Sequence, residues 1–360
     1  MRVLIIFNHP APYKVKSFNE LAKLVDLTVL FERTKAGNRP DSFYCENQYD
    51  FNVEFLHDHY FSYEGSLSNG VKEYIAAHHQ EFDFILMNGY SHLAEIKAIR
   101  YMHRKHIPFG LLINGGVFKK ETIFKKLYKA SLVKKATFYI SPNKSSDEYL
   151  KYYGAKENKI YRYVYSNLDD KEILEFPKSK KPLRQKYCLP LDQKIFINPC
   201  QFIDRKNNME LLRIFRDRPE TLLLVGSGPE LKKYQSFIKE NNMLNVLIYP
   251  FKEKKELFEL YQACDAHITL SKQDIFGHTV LEAFANGIPV ISSKNVISSI
   301  EFIKNGYNGY LVDINNREEI VNAIKSIGDI NPFNAINTAK NLTFKNVASS
   351  IYNVLKNYEK

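Results

Sequence analysis

Short apolar runs of strand length alternate with longer segments of helical periodicity along the whole chain. Both alternating faces of these runs are apolar, which is typical of strands in a parallel sheet covered by helices on both sides. The sequence therefore predicts an α/β protein with two doubly wound, Rossmann-like domains. The predicted strands lie near residues 3–7, 27–31, 84–87, 111–113, 137–140, 195–198, 222–225, 246–249, 267–270, 289–292 and 310–312.

The length of 360 residues agrees with two domains. We predict a first domain over residues 1–168, a polar linker over 169–186, a second domain over 187–335, and a C-terminal helical segment over 336–360 that packs back toward the first domain. Ligands of open α/β sheets bind beyond the carboxyl ends of the strands. Two such domains facing each other are expected to form a cleft that holds the chemistry.

Composition excludes several classes of protein. Hydrophobic residues make up 44% and charged residues 25% of the chain, which is near the globular average and unlike a disordered chain. Four cysteines, at positions 45, 188, 200 and 264, are scattered without the spacing of a disulfide framework or a zinc site. The first apolar run is too short for a signal or membrane segment, so a cytoplasmic location is expected.

The net charge of +11 is concentrated in residues 101–165, which hold 14 basic and 4 acidic residues. Lysines there surround apolar residues at helical spacing, which predicts a basic amphipathic helix. Three interpretations remain open: a solvated helix whose apolar face joins the core, a helix on an anionic membrane surface, or a nucleic-acid patch. No nucleic-acid-binding motif accompanies the charge, which disfavours the third. The candidate membrane contacts are Lys119, Lys120, Lys125, Lys126 and Lys129.

Residues 271–291 carry the most informative motif. The pattern predicts a strand, a turn and then a helix that ends at Asn286-Gly287. Free N–H groups at the start of a helix suit a diphosphate, and Asp274 and Glu282 would flank a nucleotide-sugar bound there. An exposed Asp and a helix-surface Glu without function are the alternative. The candidate donor contacts in the turn are Phe276, Gly277, His278 and Thr279.

This motif resembles the family-4 retaining glycosyltransferases of the GT-B fold, whose signature is an acidic residue, seven positions and then Glu. Asp274 and Glu282 have that spacing, although the first acid is usually Glu. The resemblance implies a nucleotide-sugar site in the second domain and an acceptor site in the first. It covers residues 195–327 strongly and residues 1–165 by general layout.

Further upstream, residues 201–207 look like the family's loop in which an Arg and a Lys bind the donor diphosphate. Lys206 stands at the Lys position and Gln201 at the usual Arg position, and the neighbouring Arg205 is expected to compensate. A glycine turn at Gly226 resembles the family's Gly-x-Gly turn; a dinucleotide fingerprint is excluded because its third glycine is absent. The base is expected near Pro250 and Phe251.

In the first domain, the resemblance places an acceptor-side loop after the first strand, at Pro12 and Tyr13. The histidine that the family often carries near the donor sugar is missing from the stretch at Asn114. His92 and His9 are the available substitutes. The predicted acceptor side consists of Pro12, Tyr13, His92 and Asn114.

The prediction is a retaining, metal-independent hexosyltransferase with Arg205, Lys206 and Asp274 as its catalytic residues. It would transfer a sugar from a nucleotide diphosphate donor, expected to be a UDP-sugar, to a lipid-linked glycan in surface polysaccharide biosynthesis. No metal is expected, since the chain has no Asp-x-Asp pair. No other cofactor and no nucleic-acid partner are expected. The protein would lie on the inner face of the cytoplasmic membrane. The alternatives are a UDP-sugar 2-epimerase of GT-B fold and a non-catalytic protein that binds anionic surfaces.

Overall fold

The computed structural model describes residues 1–36, 44, 47–56, 60–62, 65–66, 70–116 and 121–358. The strands are β1 Arg2–Phe7, β2 Asp26–Phe31, β3 Asn52–Phe55, β4 Tyr60–Ser62, β5 Gly65–Ser66, β6 Phe84–Met87, β7 Gly110–Leu112, β8 Phe138–Ser141, β9 Ile160–Arg162, β10 Ile195–Pro199, β11 Thr221–Val225, β12 Val246–Tyr249, β13 Ala266–Thr269, β14 Val290–Ser293 and β15 Gly309–Val312. The α-helices are α1 Pro12–Ala22, α2 Gly70–His78, α3 Leu93–Arg104, α4 Ile123–Val133, α5 Lys144–Tyr152, α6 Lys180–Lys186, α7 Asn208–Phe215, α8 Leu231–Glu240, α9 Lys254–Ala263, α10 His278–Ala285, α11 Ile297–Phe302, α12 Arg317–Ser326, α13 Pro332–Ala339 and α14 Phe344–Asn357.

The chain divides into two compact units, one formed by residues 1–167 and 344–360 and the other by residues 168–343. The first unit contains a sheet of seven described strands in the order β3-β2-β1-β6-β7-β8-β9, with every neighbouring pair parallel. The strand order reverses between β1 and β6, so the crevice beyond their carboxyl ends is the expected ligand position. A separate antiparallel pair joins β4 to β5.

The second unit contains a sheet of six described strands in the order β12-β11-β10-β13-β14-β15, again all parallel. Its order reverses between β10 and β13. Apolar residues on the strands of each sheet are buried on both faces, among them Leu4 and Ile6 in the first and Phe196 and Ile268 in the second. This burial is the physical reason for the continuous apolar runs in the sequence.

Residues 169–186, the segment predicted to be a linker, belong to the second unit and contain a 3₁₀ turn, Asp170–Glu172, and helix α6. The guanidinium of Arg184 anchors this helix because it is buried, donates to the carbonyl of Ala263 at 2.9 Å and pairs with Asp265 at 2.7 Å. Because the segment is rich in exposed lysines, its composition does not indicate that Arg184 is buried.

The C-terminal segment 336–360 is divided between the units. Helix α13 belongs to the second unit, whereas α14 belongs to the first and packs against α1. Beyond α14, the ring of Tyr358 lies 4.3 Å from the ring of Phe138 on β8. Leu168 and Thr343, where the chain enters and leaves the second unit, form an isolated parallel bridge.

Candidate functional site

The best-defined constellation in the second unit lies at the reversal point of its sheet. A loop and a 3₁₀ turn, Asp204–Lys206, follow β10, and the loop that contains Asp274 follows β13. Because β10 and β13 are parallel neighbours, their following loops emerge at the same edge of the sheet. This arrangement brings together two residues that are 68 positions apart in the sequence.

The ammonium of Lys206 donates a hydrogen bond to Oδ2 of Asp274 and forms an ion pair with it. The two side chains are 14% and 16% exposed, so water screens this pair less than it screens a surface pair. Nη1 of Arg205 lies 3.8 Å from the same Oδ2 and donates to the carbonyl of Gln273 at 2.6 Å. All three residues predicted to be catalytic therefore meet at one point.

Backbone and side-chain hydrogen bonds hold the two loops together. Asn207 adopts the left-handed conformation, with φ of 58°, and its side-chain amide donates to the carbonyl of Leu270 at 3.1 Å. The N–H of Lys272 donates to the carbonyl of Arg205 at 2.9 Å, and that of Asp274 to Asn295 at 3.0 Å. The positions of the charged groups are thus fixed by the backbone that carries them.

Gly277 turns the chain into α10. Its φ is +84°, and a Cβ at this position would lie 2.4 Å from Cγ1 of Val296, so only glycine is accommodated without strain. The helix begins at His278, one residue before the predicted start, and no side-chain hydrogen bond caps its first turn. The first amides of α10 therefore follow directly after the loop that holds Asp274.

Glu282 lies on α10 four residues after His278 and hence on the same face of the helix. Its side chain is partly buried. The hydroxyl of Tyr261 donates to the carbonyl of Thr279 at 3.1 Å, and burial, followed by the negative charge of Glu282, raises the pKa of Tyr261 well above its ordinary value. Glu282 is thus close to Tyr261, whose hydroxyl is hydrogen bonded to the first turn of α10.

The other residues predicted to bind the donor follow β10, β11 and β12. Gly226, with φ of +147°, packs so closely on the loop after β10 that a Cβ would lie 2.0 Å from the carbonyl oxygen of Cys200. Gln201 is exposed beside it. Pro250 and Phe251 are exposed at the end of β12, two strands or about 10 Å from β10.

In the first unit, the corresponding edge of the sheet carries a hydrogen-bonded group of which only Asn114 was predicted from the sequence. Nζ of Lys14 donates to Oδ1 of Asn114 at 2.6 Å, and the amide of Asn114 donates to Oδ1 of Asn88 at 3.1 Å. Asn88 and Asn114 line a cavity of about 160 Å³ at the ends of β6 and β7. Pro12 and Tyr13, expected in a loop, form the first turn of α1 because Pro12 suits the start of a helix.

Lys14 is buried, and its ammonium lies 4.2 Å from the centre of the Tyr165 ring. Burial lowers the pKa of Lys14 to about 7. A single lysine in an amphipathic helix gives no signal of burial in the sequence, which explains why this residue was not predicted.

His92 precedes α3, and its Nδ1 lies 3.8 Å from Oε2 of Glu32 and 3.7 Å from Oε1 of Glu95. The interaction with Glu32 is the largest influence on the pKa of His92 and raises it. Burial and the nearby Glu32 raise the pKa of Glu95. His92 therefore belongs to a buried carboxylate cluster rather than to the Asn88–Asn114 group.

Helix α4 contains the predicted basic amphipathic segment, and its apolar face is largely exposed. Ile123, Phe124 and Leu127 are 61%, 81% and 60% exposed, so the interpretation as a core-facing helix is wrong for this half of the helix. Lys125 is exposed. Lys119 and Lys120 lie outside the described residues.

Two of the predicted membrane lysines contact the protein itself. Nζ of Lys129 pairs with Glu121 at 2.7 Å, and the side chain of Glu121 is 4% exposed. Nζ of Lys126 lies 3.7 Å from the ring centre of Tyr152. Within the described part of the chain, no helix combines the length and the apolar character needed to cross a bilayer.

Comparison with known proteins gives a family match in the second unit. The family of the glycosyl transferases group 1 matches residues 179–341, which cover most of the second unit. Over these residues the second unit is therefore similar to the group 1 glycosyltransferases. The chain is 28% identical over 163 residues to N-acetyl-alpha-D-glucosaminyl L-malate synthase of Bacillus anthracis, a match covering 44% of this chain and 42% of that enzyme.

Solved structures match nearly the whole chain. HepE of Anabaena in complex with UDP has a TM-score of 0.76 at 17% identity, covering 99% of this chain and 100% of HepE. The apo form of the lipopolysaccharide outer core galactosyltransferase WaaB has a TM-score of 0.72 at 15% identity, covering 98% and 99%. The protein therefore has the GT-B fold. By contrast, the matched sequence spans less than half of the curated relative.

Proposed function

We propose that the protein is a retaining glycosyltransferase that transfers a sugar from a UDP-sugar to a hydroxyl of a glycan acceptor. The observation that carries this proposal is the pairing of Lys206 with Asp274 at the reversal point of the second sheet, directly before α10. The UDP-bound structure of HepE, which shares the fold, supports UDP as the nucleotide.

The donor diphosphate would bind between Lys206, Arg205 and the first amides of α10. It would replace Asp274 as the partner of Lys206, because a diphosphate offers more negative charge and more acceptor oxygens than one carboxylate. Asp274 would then be available to accept hydrogen bonds from the donor sugar. Glu282, one turn along α10, would accept hydrogen bonds from the ribose hydroxyls.

In the transfer step, the bond between the anomeric carbon and the diphosphate oxygen breaks while the acceptor oxygen attacks the same face of the sugar. The departing phosphate oxygen takes the proton of the acceptor hydroxyl, so no separate base is required. Lys206, Arg205 and the helix amides stabilise the negative charge that develops on the leaving group. These cations of the chain fill the role that a metal ion has in other transferases.

We propose that the acceptor is a lipid-linked glycan in surface polysaccharide biosynthesis, bound on the first unit. WaaB, which shares the fold, acts in lipopolysaccharide synthesis, and this likeness supports such an acceptor. The cavity beside Asn88 and Asn114 offers amide groups that suit sugar hydroxyls. The exposed apolar ridge of α4, Ile123, Phe124 and Leu127, would insert into the membrane surface, with Lys125 beside anionic headgroups.

The decisive assay incubates the full chain with UDP-sugars and lipid-linked acceptors and follows both release of UDP and the anomeric configuration of the product. The proposal predicts that UDP release depends on acceptor and that the product keeps the donor configuration. An epimerase would instead change the sugar without any acceptor. Asp274→Asn should retain UDP binding and lose most transfer, since it removes the carboxylate that orients the sugar.

A further inference from the structure

A second charged cluster lies at the carboxyl edge of the first sheet. Glu32 directly follows β2, whereas His92 and Glu95 lie at the start of α3, after β6. One ligating atom of each of these three residues lies within 4.8 Å of the corresponding atoms of the other two. Strand β1 separates β2 from β6, so the cluster joins loops from either side of the central strand.

The cluster concentrates negative charge away from water. Glu32 and Glu95 are 2% and 3% exposed. Oε2 of Glu95 accepts from the N–H groups of Ser91 and His92 at 2.6 and 3.0 Å, which leaves Oε1 facing the imidazole. Two buried carboxylates near one imidazole are costly unless a cation or protons neutralise them.

Two of the buried atoms lack partners within the described part of the chain. Oε1 of Glu32 accepts no hydrogen bond, and Nδ1 of His92 has no hydrogen-bond partner. Arg33 follows Glu32 and is the weakest of the influences on His92. Oε1 of Glu32 accepts no hydrogen bond from this guanidinium.

We propose that Glu32, His92 and Glu95 bind a divalent metal ion, most suitably Zn²⁺. One imidazole nitrogen and two carboxylates form a mixed ligand set that suits zinc. Ligand atoms about 2.1 Å from a tetrahedral zinc ion lie about 3.4 Å apart. The separations of Nδ1 of His92 from the two carboxylates, 3.8 and 3.7 Å, exceed this by a few tenths of an ångström.

Such an ion would tie the loop after β2 to the start of α3 and so stabilise the edge of the sheet that carries the proposed acceptor cavity. The ion would stabilise the first unit and would have no part in the donor site. The donor site proposed in the second unit uses no metal, so the two proposals can fail separately.

The test uses the full chain with Cys188→Ser, because the exposed thiol of Cys188 is an adventitious zinc ligand. The protein is stripped with a chelator, titrated with Zn²⁺, Mn²⁺ or Mg²⁺, and followed by thermal unfolding and by direct metal analysis. We expect one equivalent of Zn²⁺ and an increase in melting temperature of about 5 °C. Glu32→Gln, which keeps the shape of the side chain, and His92→Asn should each abolish both effects.

The control is His78→Asn, which removes an exposed histidine paired with Glu81 at 2.7 Å and should leave zinc binding unchanged. The proposal is overturned if the stripped protein takes up no metal, or if Glu32→Gln and His92→Asn bind zinc as the parent does. In either case protons, and not a metal ion, neutralise the carboxylates of Glu32 and Glu95. Metal analysis of the parent protein decides the question even if a variant does not fold.

Discussion

Lys206 and Asp274 form an ion pair across the reversal point of the second sheet, although 68 residues separate them in the sequence. Each side chain is more than four-fifths buried. The pair is held by loops that hydrogen bond to each other, and it stands directly before the start of α10. This relationship places a cation and a carboxylate side by side on two loops, as the proposed donor site requires.

The first prediction concerns Glu282. Replacing it with Gln should weaken UDP binding about 10- to 100-fold, because a hydrogen bond to a charged acceptor is lost on the ribose. Binding of inorganic pyrophosphate should not change, since it has no ribose. Calorimetric titration of both ligands measures the difference. The exposed Glu253 provides the control: Glu253→Gln should bind UDP as the parent does.

The second prediction concerns the glycine before α10. Gly277→Ala and Gly306→Ala both place a side chain on a backbone with positive φ, +84° and +75°, but only at Gly277 would the new Cβ meet neighbouring atoms. Gly306→Ala should lower the free energy of unfolding by about 1–2 kcal/mol. Gly277→Ala should cost about 1–3 kcal/mol more and weaken UDP binding as well. If urea unfolding shows that both variants lose the same free energy of unfolding, small shifts of the structure relieve the contact between the new Cβ and Val296, and the prediction is wrong.

The third prediction is a pH dependence that originates in Lys14. The unfolded lysine keeps its proton up to pH 10.5, whereas the native one, with a pKa of about 7, loses it earlier. Between these values the unfolded state binds more protons, so raising the pH stabilises the native state. The contribution is at most about 1.4 kcal/mol per pH unit.

Lys14→Met removes this contribution. The free energy of unfolding of the parent minus that of the variant should therefore rise between pH 7.5 and 9.5, measured by urea unfolding at each pH. The exposed Lys16 lies on the same helix, and Lys16→Met should keep the slope of the parent. A difference that does not change with pH would contradict the burial of Lys14 as a neutral amine.

The fourth prediction concerns the apolar ridge of α4. Phe124→Ser should lower binding to anionic liposomes by at least about tenfold, because the ring is 81% exposed and would be buried in the membrane surface. Leu244 is 95% exposed in the second unit, and Leu244→Ser is the matched control. Equal liposome flotation of the two variants would exclude α4 as the membrane contact.

Central strands could be predicted from the sequence because burial on both faces requires continuous apolar runs. The bounds for β6 and β12 are those predicted, and the other predicted strands differ by a residue or two at their ends. Strands β3, β4, β5 and β9 were not predicted. Strands β3 and β9 are the edge strands of the first sheet, and their sequences, with Asn52, Glu54 and Arg162, are short and partly polar.

The candidate donor site could be predicted in outline because its residues follow a recognisable spacing along one segment. The partnership of Lys206 with Asp274 could not, since it depends on which strands are neighbours in the sheet. The contacts of Lys14 and Lys129 could not be predicted from the sequence either. A lysine that pairs with a buried carboxylate or lies beneath an aromatic ring has no local signature that distinguishes it from a solvated one.

The proposed donor site is tested at its charged centre by calorimetric titration of UDP into the parent protein, Lys206→Ala and Lys272→Ala. Lys272 lies on the loop that contains Asp274 and pairs with Asp204 at 2.8 Å on the exposed surface. Lys206→Ala should weaken UDP binding about 10- to 100-fold, whereas Lys272→Ala should bind UDP as the parent does. Equal UDP affinity for all three proteins, or no UDP binding by the parent, would contradict a donor site at the Lys206–Asp274 pair.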